Sequence, residues 1–286
     1  MLLDLNPVVI CSISASQKTF KEITPDIIRH ITLNMILSYR KKFSHKYGKM
    51  IVCCDSSNYW RKDFFPFYKV NRKKNREDSS LDWGLIFDTL DSIQSELREY
   101  LPYHVVSVPR CEADDIIAVL ARYISTNEHT IEMGWPEPEK VLILSRDKDF
   151  KQLHDNLITQ WSPFDKKFIH ENNPSQFLLE QVIRGDVSDG VPNIRSNDDS
   201  FVMKIKQKPV TEKLIESIQS EGVIPSEYKS HWDRNKRMID LSMIPSEYQE
   251  LILKDYLEYK PNPKGKILQY MQEKGLRNLY DQASFF

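Results

Sequence analysis

Val141-Leu142-Ile143-Leu144 followed by Ser145-Arg146-Asp147-Lys148-Asp149 is the stretch on which the fold turns. Four consecutive apolar residues, closed by a polar step and two acids, describe a strand buried on both faces with carboxylates at its C-terminal end. Three other short runs repeat the pattern. Met1–Leu5 contains Asp4, Met50–Cys54 is followed by Asp55, and His104–Val108 leads to Glu112-Ala113-Asp114-Asp115. Between them, residues 26–43 and 81–100 carry apolar side chains at helical spacing, and Ile116, Ile117, Val119, Leu120 and Ile124 do the same after the acidic cluster. Strands alternating with helices of this length predict an α/β fold with a mostly parallel central sheet and helices on both faces. Asn173-Pro174-Ser175-Gln176 predicts a helix start, with Asn as N-cap, and Gly185 a stop. Beyond it only helical patterns remain (210–218, 247–257, 265–274), so the expected division is an α/β body over 1–184 and a helical region over 185–286.

An open parallel sheet forms its ligand crevice at the C-terminal edge of its strands. Asp4, Asp55, Glu112, Asp114, Asp115, Asp147 and Asp149 are all expected at that edge, with Asp186 and Asp189 arriving after the 174–184 helix. Any one of these acids alone reads as a turn residue or a helix cap. Acids after four successive strands are a different matter, because carboxylates gathered in a small volume repel and raise one another's pKa values. Divalent cations relieve that repulsion, and an all-oxygen donor set suits Mg²⁺, with Mn²⁺ as substitute, better than zinc. A pair of such ions about 3.5–4 Å apart is the standard device for in-line displacement at a phosphodiester.

The total of 40 basic and 41 acidic residues conceals a local excess: residues 61–76 hold seven bases against Asp63 alone. Tyr59, Trp60, Arg61, Lys62, Tyr68, Lys69, Arg72, Lys73, Lys74 and Arg76 interleave aromatic rings with cations, a composition suited to stacking bases and pairing phosphates. The same run also reads as core aromatics beside a solvated basic face. No apolar run approaches the roughly 18 residues needed to cross a bilayer. The N-terminus lacks a signal-peptide pattern, and Cys11, Cys53, Cys54 and Cys111 form no disulfide framework, so a reduced cytoplasmic location is expected.

These phrases resemble the 5′-nuclease (flap endonuclease) family, and within it the T-even-type phage ribonuclease H branch. The resemblance is carried by Leu3-Asp4-Leu5-Asn6, Cys54-Asp55, Tyr59-Trp60-Arg61-Lys62-Asp63-Phe64, Tyr68-Lys69-x-Asn71-Arg72, Glu112-Ala113-Asp114-Asp115, Asp147-x-Asp149-Phe150, Gln160-Trp161-Ser162-Pro163 and Gly185-Asp186-x-x-Asp189. It implies a PIN-like nuclease domain followed by a helix–turn duplex-binding motif, and a two-ion nuclease trimming 5′ ends and cutting 5′ flaps, RNA primers of lagging-strand fragments included. By the resemblance, the nine acids named above are metal-site positions. Asp114 and Asp147 lie among those nearest the ions, and Lys69 and Arg72 form the basic pair of an arch over residues 56–80 that grips the scissile phosphate. The expected partners are flapped or branched DNA and RNA–DNA duplex, with a single-strand-binding protein further off, and the chain is expected to act as a monomer.

The sequence departs from the family after Asp189. Gly190-Val191-Pro192-Asn193-Ile194 leads into Arg195-Ser196-Asn197-Asp198-Asp199 with no Gly-x-Gly hairpin, which leaves the potassium ion and phosphate contacts of that hairpin open. Lys204 and Lys206 are candidate replacements for the duplex contacts. Terminal Phe285-Phe286 suggests an anchor for a sliding clamp, against the plainer reading of a helix tail docked on its own core. Two rival functions share many of these features: a nucleic-acid-binding protein whose nuclease has lapsed, and a PIN-type ribonuclease acting on single strands.

Overall fold

The computed structural model describes residues 1–16, 22–126, 138–262 and 266–286, and for residues 73–75 and 77 the backbone alone. In chain order the elements are β1 (Leu2–Asp4), α1 (Leu5–Ser16), α2 (Pro25–Tyr47), β2 (Ile51–Cys53), α3 (Arg61–Phe64), α4 (Val70–Glu77), α5 (Trp83–Tyr100), β3 (His104–Val106), α6 (Ala113–Ser125) and β4 (Val141–Leu144). A 3₁₀ turn at Lys148–Leu153 precedes β5 (Ile158–Ser162), β6 (Lys167–Ile169) and α7 (Pro174–Arg184). Then come α8 (Glu212–Glu221), α9 (Lys229–Ile239), α10 (Ser246–Glu258), α11 (Lys266–Glu273) and a final 3₁₀ segment, Arg277–Phe285.

The sheet order is β3-β2-β1-β4-β5-β6, parallel throughout except for the antiparallel β5–β6 pair. Alternation of side chains sends successive residues to opposite faces. Leu3, Val52, Val105, Leu142 and Leu144 enter the core under α1, α2, α5 and α11. Leu2, Ile51, Val106, Val141 and Ile143 enter the core under α6 and α10. This is the expected α/β architecture, with helices on both faces. Two smaller clusters hold the rest: Phe65, Tyr68, Val182, Val191 and Met238 in one, and Ile183, Ile194, Ile215 and Ile218 in the other.

Several elements lie outside the sequence expectation. Strand β5 alternates polar Gln160 and Ser162 with apolar residues, yet both polar side chains are buried because they bond within the sheet edge. Residues 5–16 continue directly from β1 as a helix. Helix α9 is largely polar and owes its place to three inward residues, Asn235, Met238 and Ile239. The predicted start at Asn173 and stop at Gly185 hold: the Asn173 side chain accepts from the Gln176 N–H, and Gly185 caps at φ +71°.

Candidate active site

The order of strand addition reverses between β1 and the parallel β4, since β2 and β3 lie on one side of β1 and β4 and β5 on the other. A crevice opens at such a switch point, outside the strand ends. Asp4 ends β1, Asp55 follows β2, and Ser145 and Asp147 follow β4. The Asp4 Oδ2 accepts from Ser145 Oγ at 2.7 Å, and Ser145 Oγ accepts from the Asp147 N–H at 3.1 Å, so the two strand ends are tied together. Asp55 accepts from the Ala113 N–H (2.9 Å) and from Asn6 Nδ2 (3.1 Å), joining β2 to the N-terminus of α6. Gln160 Nε2 donates to the Asp147 carbonyl at 2.6 Å, and Gln181 Nε2 donates to Asp149. Ser145, Asn6, Gln160 and Gln181 thus hold the acids in place. The first three lie within motifs legible in the sequence, whereas nothing in the α7 pattern marks Gln181.

The acids lie near enough for their charges to act on one another. Burial, then the charge of Asp55, pushes Asp4 well above the usual carboxylate range. Burial and the charges of Asp147 and Asp4 do the same for Asp114, and burial with Asp147 and Asp186 for Asp149. Burial also raises Asp55 and Asp147. The Lys69 ammonium opposes the rise at Asp4, Asp55, Asp114 and Asp147, so one positive charge already stands among these four. Asp4 Oδ1 is buried with no hydrogen-bond partner. An oxygen-only donor set, a stranded carboxylate oxygen and a demand for positive charge all fit a hard divalent cation. Among the described residues no group of three or more His, Cys, Asp or Glu side chains is already placed to hold a metal ion.

Glu112 and Asp115 each meet protein cations. Arg61 is 2% exposed, with Nη1 2.9 Å from Glu112 Oε2 and 2.8 Å from Asp115 Oδ1. Trp60 Nε1 donates to Asp115 Oδ2 at 3.0 Å, and the Glu112 N–H donates to the same oxygen, closing a capping box at the start of α6. Glu112 also accepts from Tyr68 OH and pairs with Lys69. Although burial opposes it, Lys69 and Arg61 hold Glu112 below the ordinary carboxylate range. These two acids anchor protein cations, whereas Asp114 forms no ion pair among the described residues. Asp189 is likewise engaged, by Arg72 Nη2 at 2.7 Å, Tyr68 OH at 3.0 Å and Lys69 Nζ at 3.6 Å. Asp186 accepts from the Ser188 and Asp189 N–H groups and lies 2.8 Å from Lys148 Nζ.

The aromatic–basic run is correspondingly split. Trp60, Arg61 and Tyr68, expected to face nucleic acid, are buried, because their polar tips satisfy Glu112, Asp115 and Asp189 underneath. Lys62 and Arg72 are exposed, and Tyr59 and Arg76 are half-buried, Arg76 lying over the Phe87 ring. The side chains of Lys73 and Lys74 lie outside the described residues. Lys204 and Lys206 are exposed on the segment after α7. The C-terminal expectation also changes: Phe286 is buried in the core beneath α2, and only Phe285 faces outward, under the Lys41 ammonium. A free pair of aromatic anchors is therefore absent, since the apolar ring gains more from the core than from water.

The Asp186–Asp189 turn depends on Gly185. A Cβ there would meet the Val191 carbonyl oxygen at 2.4 Å, besides the cost of its positive φ. Gly185→Ala is expected to lower stability by about 2 kcal/mol or more, read as a reduced urea midpoint. A midpoint equal to wild type would show that this turn yields freely.

Two family models match the chain: the 5′-3′ exonuclease N-terminal resolvase-like domain over residues 14–181, and the T4 RNase H C-terminal domain over 173–286. The ribonuclease H of Enterobacteria phage T4 is 30% identical over 300 residues, spanning 100% of this chain and 95% of that protein. The flap endonuclease Xni of Shewanella oneidensis is 30% identical over 143 residues, 47% of this chain and 48% of its own. In fold, the chain is similar to the T5 5′-exonuclease solved with zinc ions, with a TM-score of 0.60 at 16% identity, covering 91% of this chain and 98% of that one. It is also similar to the bacteriophage T5 D15 flap endonuclease solved with DNA and metal ions, with a TM-score of 0.59. With full-length similarity to a phage ribonuclease H and both family models matched in order, the chain belongs to the 5′-3′ exonuclease family of nucleases, carrying a C-terminal domain of the T4 ribonuclease H type.

Proposed function

We propose that the protein is a Mg²⁺-dependent 5′→3′ exonuclease and 5′-flap endonuclease, using two ions that Mn²⁺ can replace. Its substrates are RNA primers and the adjacent DNA of lagging-strand fragments, processed in the cytoplasm of an infected bacterial host. The observation that carries this reading is the set Asp4, Asp55, Asp114, Asp147 and Asp149, raised together in pKa at one sheet edge beside Lys69. When bound, divalent ions supply the positive charge that a scissile phosphodiester and its leaving oxygen require. The protein's part is positional. Ser145 and Asn6 orient Asp4 and Asp55, Asp147 and Asp149 are fixed by Gln160 and Gln181, and Asp114 projects from the first turn of α6. Lys69 and Arg72, held by Glu112 and Asp189, form the cationic rim where a phosphate would enter. Residues 1–184 act as the catalytic body, and 185–286 hold the duplex.

The test is incubation with a 5′-labelled flap substrate and Mg²⁺, with and without EDTA. Metal-dependent release of the flap is expected, and no metal-dependent product would overturn the reading.

A pH dependence follows from the raised carboxyls. A carboxyl whose folded pKa lies above its unfolded value contributes stability at low pH and loses it as pH climbs from the ordinary carboxylate range to the raised value. Above that window the metal-free site holds more negative charge than Lys69 offsets. Ion binding displaces protons below the window and meets no such competition above it. Mg²⁺ is therefore expected to raise Tm more at pH 8 than at pH 5.5. Equal shifts at both values would contradict the shared pocket.

A further inference from the structure

Between α7 and α8 the chain forms a projection whose base is stapled and whose tip is apolar. The buried Asn193 closes the base: its N–H donates to Gln207 Oε1 at 2.8 Å and its Nδ2 to the Lys208 carbonyl at 2.9 Å. The Lys208 N–H in turn donates to Ser196 Oγ. Above this staple, residues 197–205 are folded on themselves through Ser200 N–H to Asn197 O, Met203 N–H to Asp199 O and Ile205 N–H to Ser200 O. Arg234 of α9 braces the near side, pairing with Asp198 and donating to the Pro192 carbonyl. The Arg234 guanidinium offsets the charge of Asp198, while the neighbouring Asp199 forms no ion pair among the described residues.

The tip exposes Val202 (43%), Met203 (63%) and Ile205 (54%), while Lys204 sits at φ +54°. Holding three large apolar side chains in water on an ordered turn, with a non-glycine residue in the left-handed region, costs free energy that ordinary surfaces avoid. Lys204, Lys206 and Lys208 alternate with them, and none of the three forms an ion pair among the described residues. Cations interleaved with an apolar tip complement a polyanion that also offers an apolar slot. The space between stacked base pairs in a minor groove is such a slot, entered by Met, Ile and similar wedges while Lys contacts the flanking phosphates. Asn193 follows Asp189 by only four residues, and Asp189 pairs with Arg72 and Lys69 beside the acids.

We propose that residues 198–206 form a wedge that inserts Met203 and Ile205 at a base step of duplex nucleic acid, with Lys204 and Lys206 on the adjacent phosphates. The wedge rests on the substrate class proposed above, and it makes affinity depend on unstacking as well as on charge. Unstacking is cheapest next to a branch, where stacking is already interrupted, so the wedge favours flapped over continuous duplex.

The test uses the full chain in EDTA, with flap duplexes carrying 2-aminopurine at successive steps, so that binding is read without cleavage. Wild type is expected to brighten the probe at one step near the branch. Met203→Ser with Ile205→Ser is expected to abolish that signal and weaken binding about tenfold, with the salt dependence unchanged. The conservative pair Met203→Leu and Ile205→Leu should retain both signal and affinity. Lys204→Ala with Lys206→Ala should keep the signal and lower the slope of log K against log salt by about 2. All these positions are exposed, and unchanged Tm values verify the fold. The wedge is overturned if no step brightens with wild type, or if the serine pair binds as wild type does, the result expected were the tip a protein-docking patch. A wild-type protein that brightens the probe but never cuts with Mg²⁺ would leave the wedge standing and remove the nuclease reading instead.

Discussion

Asp114→Asn or Asp147→Asn is expected to lower flap cleavage at least about a thousandfold while leaving DNA binding in EDTA unchanged or tighter. Each substitution preserves shape and removes one anionic oxygen from the pocket. Charge stabilisation by a divalent ion at a phosphoryl group is worth several kcal/mol, and each 1.36 kcal/mol is tenfold in rate. Binding behaves oppositely, because the lost charge faced the phosphate backbone. A second readout separates this from a folding defect. Burial and neighbouring charge hold Asp114 far above its normal range, so neutralising it relieves repulsion and should raise the metal-free Tm at pH 8. Cleavage at the wild-type rate by either variant would remove that residue from the ion-binding set.

Arg61→Ala is the substitution expected to cost most in stability, about 3–5 kcal/mol. Its guanidinium is buried against Glu112, Asp115 and the Met238 carbonyl, and no water can replace it at 2% exposure. Without it two carboxylates stay buried with unequal compensation: Glu112 keeps Lys69 and Tyr68, but Asp115 keeps only Trp60 and its own helix N-terminus. Against a typical total of 5–15 kcal/mol, such a loss leaves a chain folded only in mild conditions. Urea unfolding measures it directly. Arg61→Met combined with Asp115→Asn should recover part of the loss, because the stranded charge goes with the cation. A loss below about 1 kcal/mol for Arg61→Ala would mean that Glu112 and Asp115 find other partners and that Arg61 is an ordinary surface base.

How much of this was legible beforehand differs from residue to residue. Val141–Leu144 announced a doubly buried strand because no polar residue interrupts it, and the acids at strand ends followed from topology once the strands were parallel. Strand β5 was hidden by Gln160, whose burial depends on the distant Ser145 and Asp147 carbonyls, and by Ser162, which bonds Asp165 in the turn that follows. Trp60, Arg61 and Tyr68 fit a solvent-facing, base-stacking composition equally well, and only the third dimension reveals acids beneath them. Asp198 is paired by Arg234, thirty-odd residues downstream, a partner that no local pattern marks. Composition marks charge, whereas pairing belongs to the fold.

Crystals soaked in Mn²⁺ and measured at its absorption edge test the central claim most directly. The account predicts anomalous peaks in the crevice between the ends of β1 and β4, within coordinating reach of Asp114 and Asp147. Peaks confined to other surfaces, with that crevice empty at saturating Mn²⁺, would contradict it.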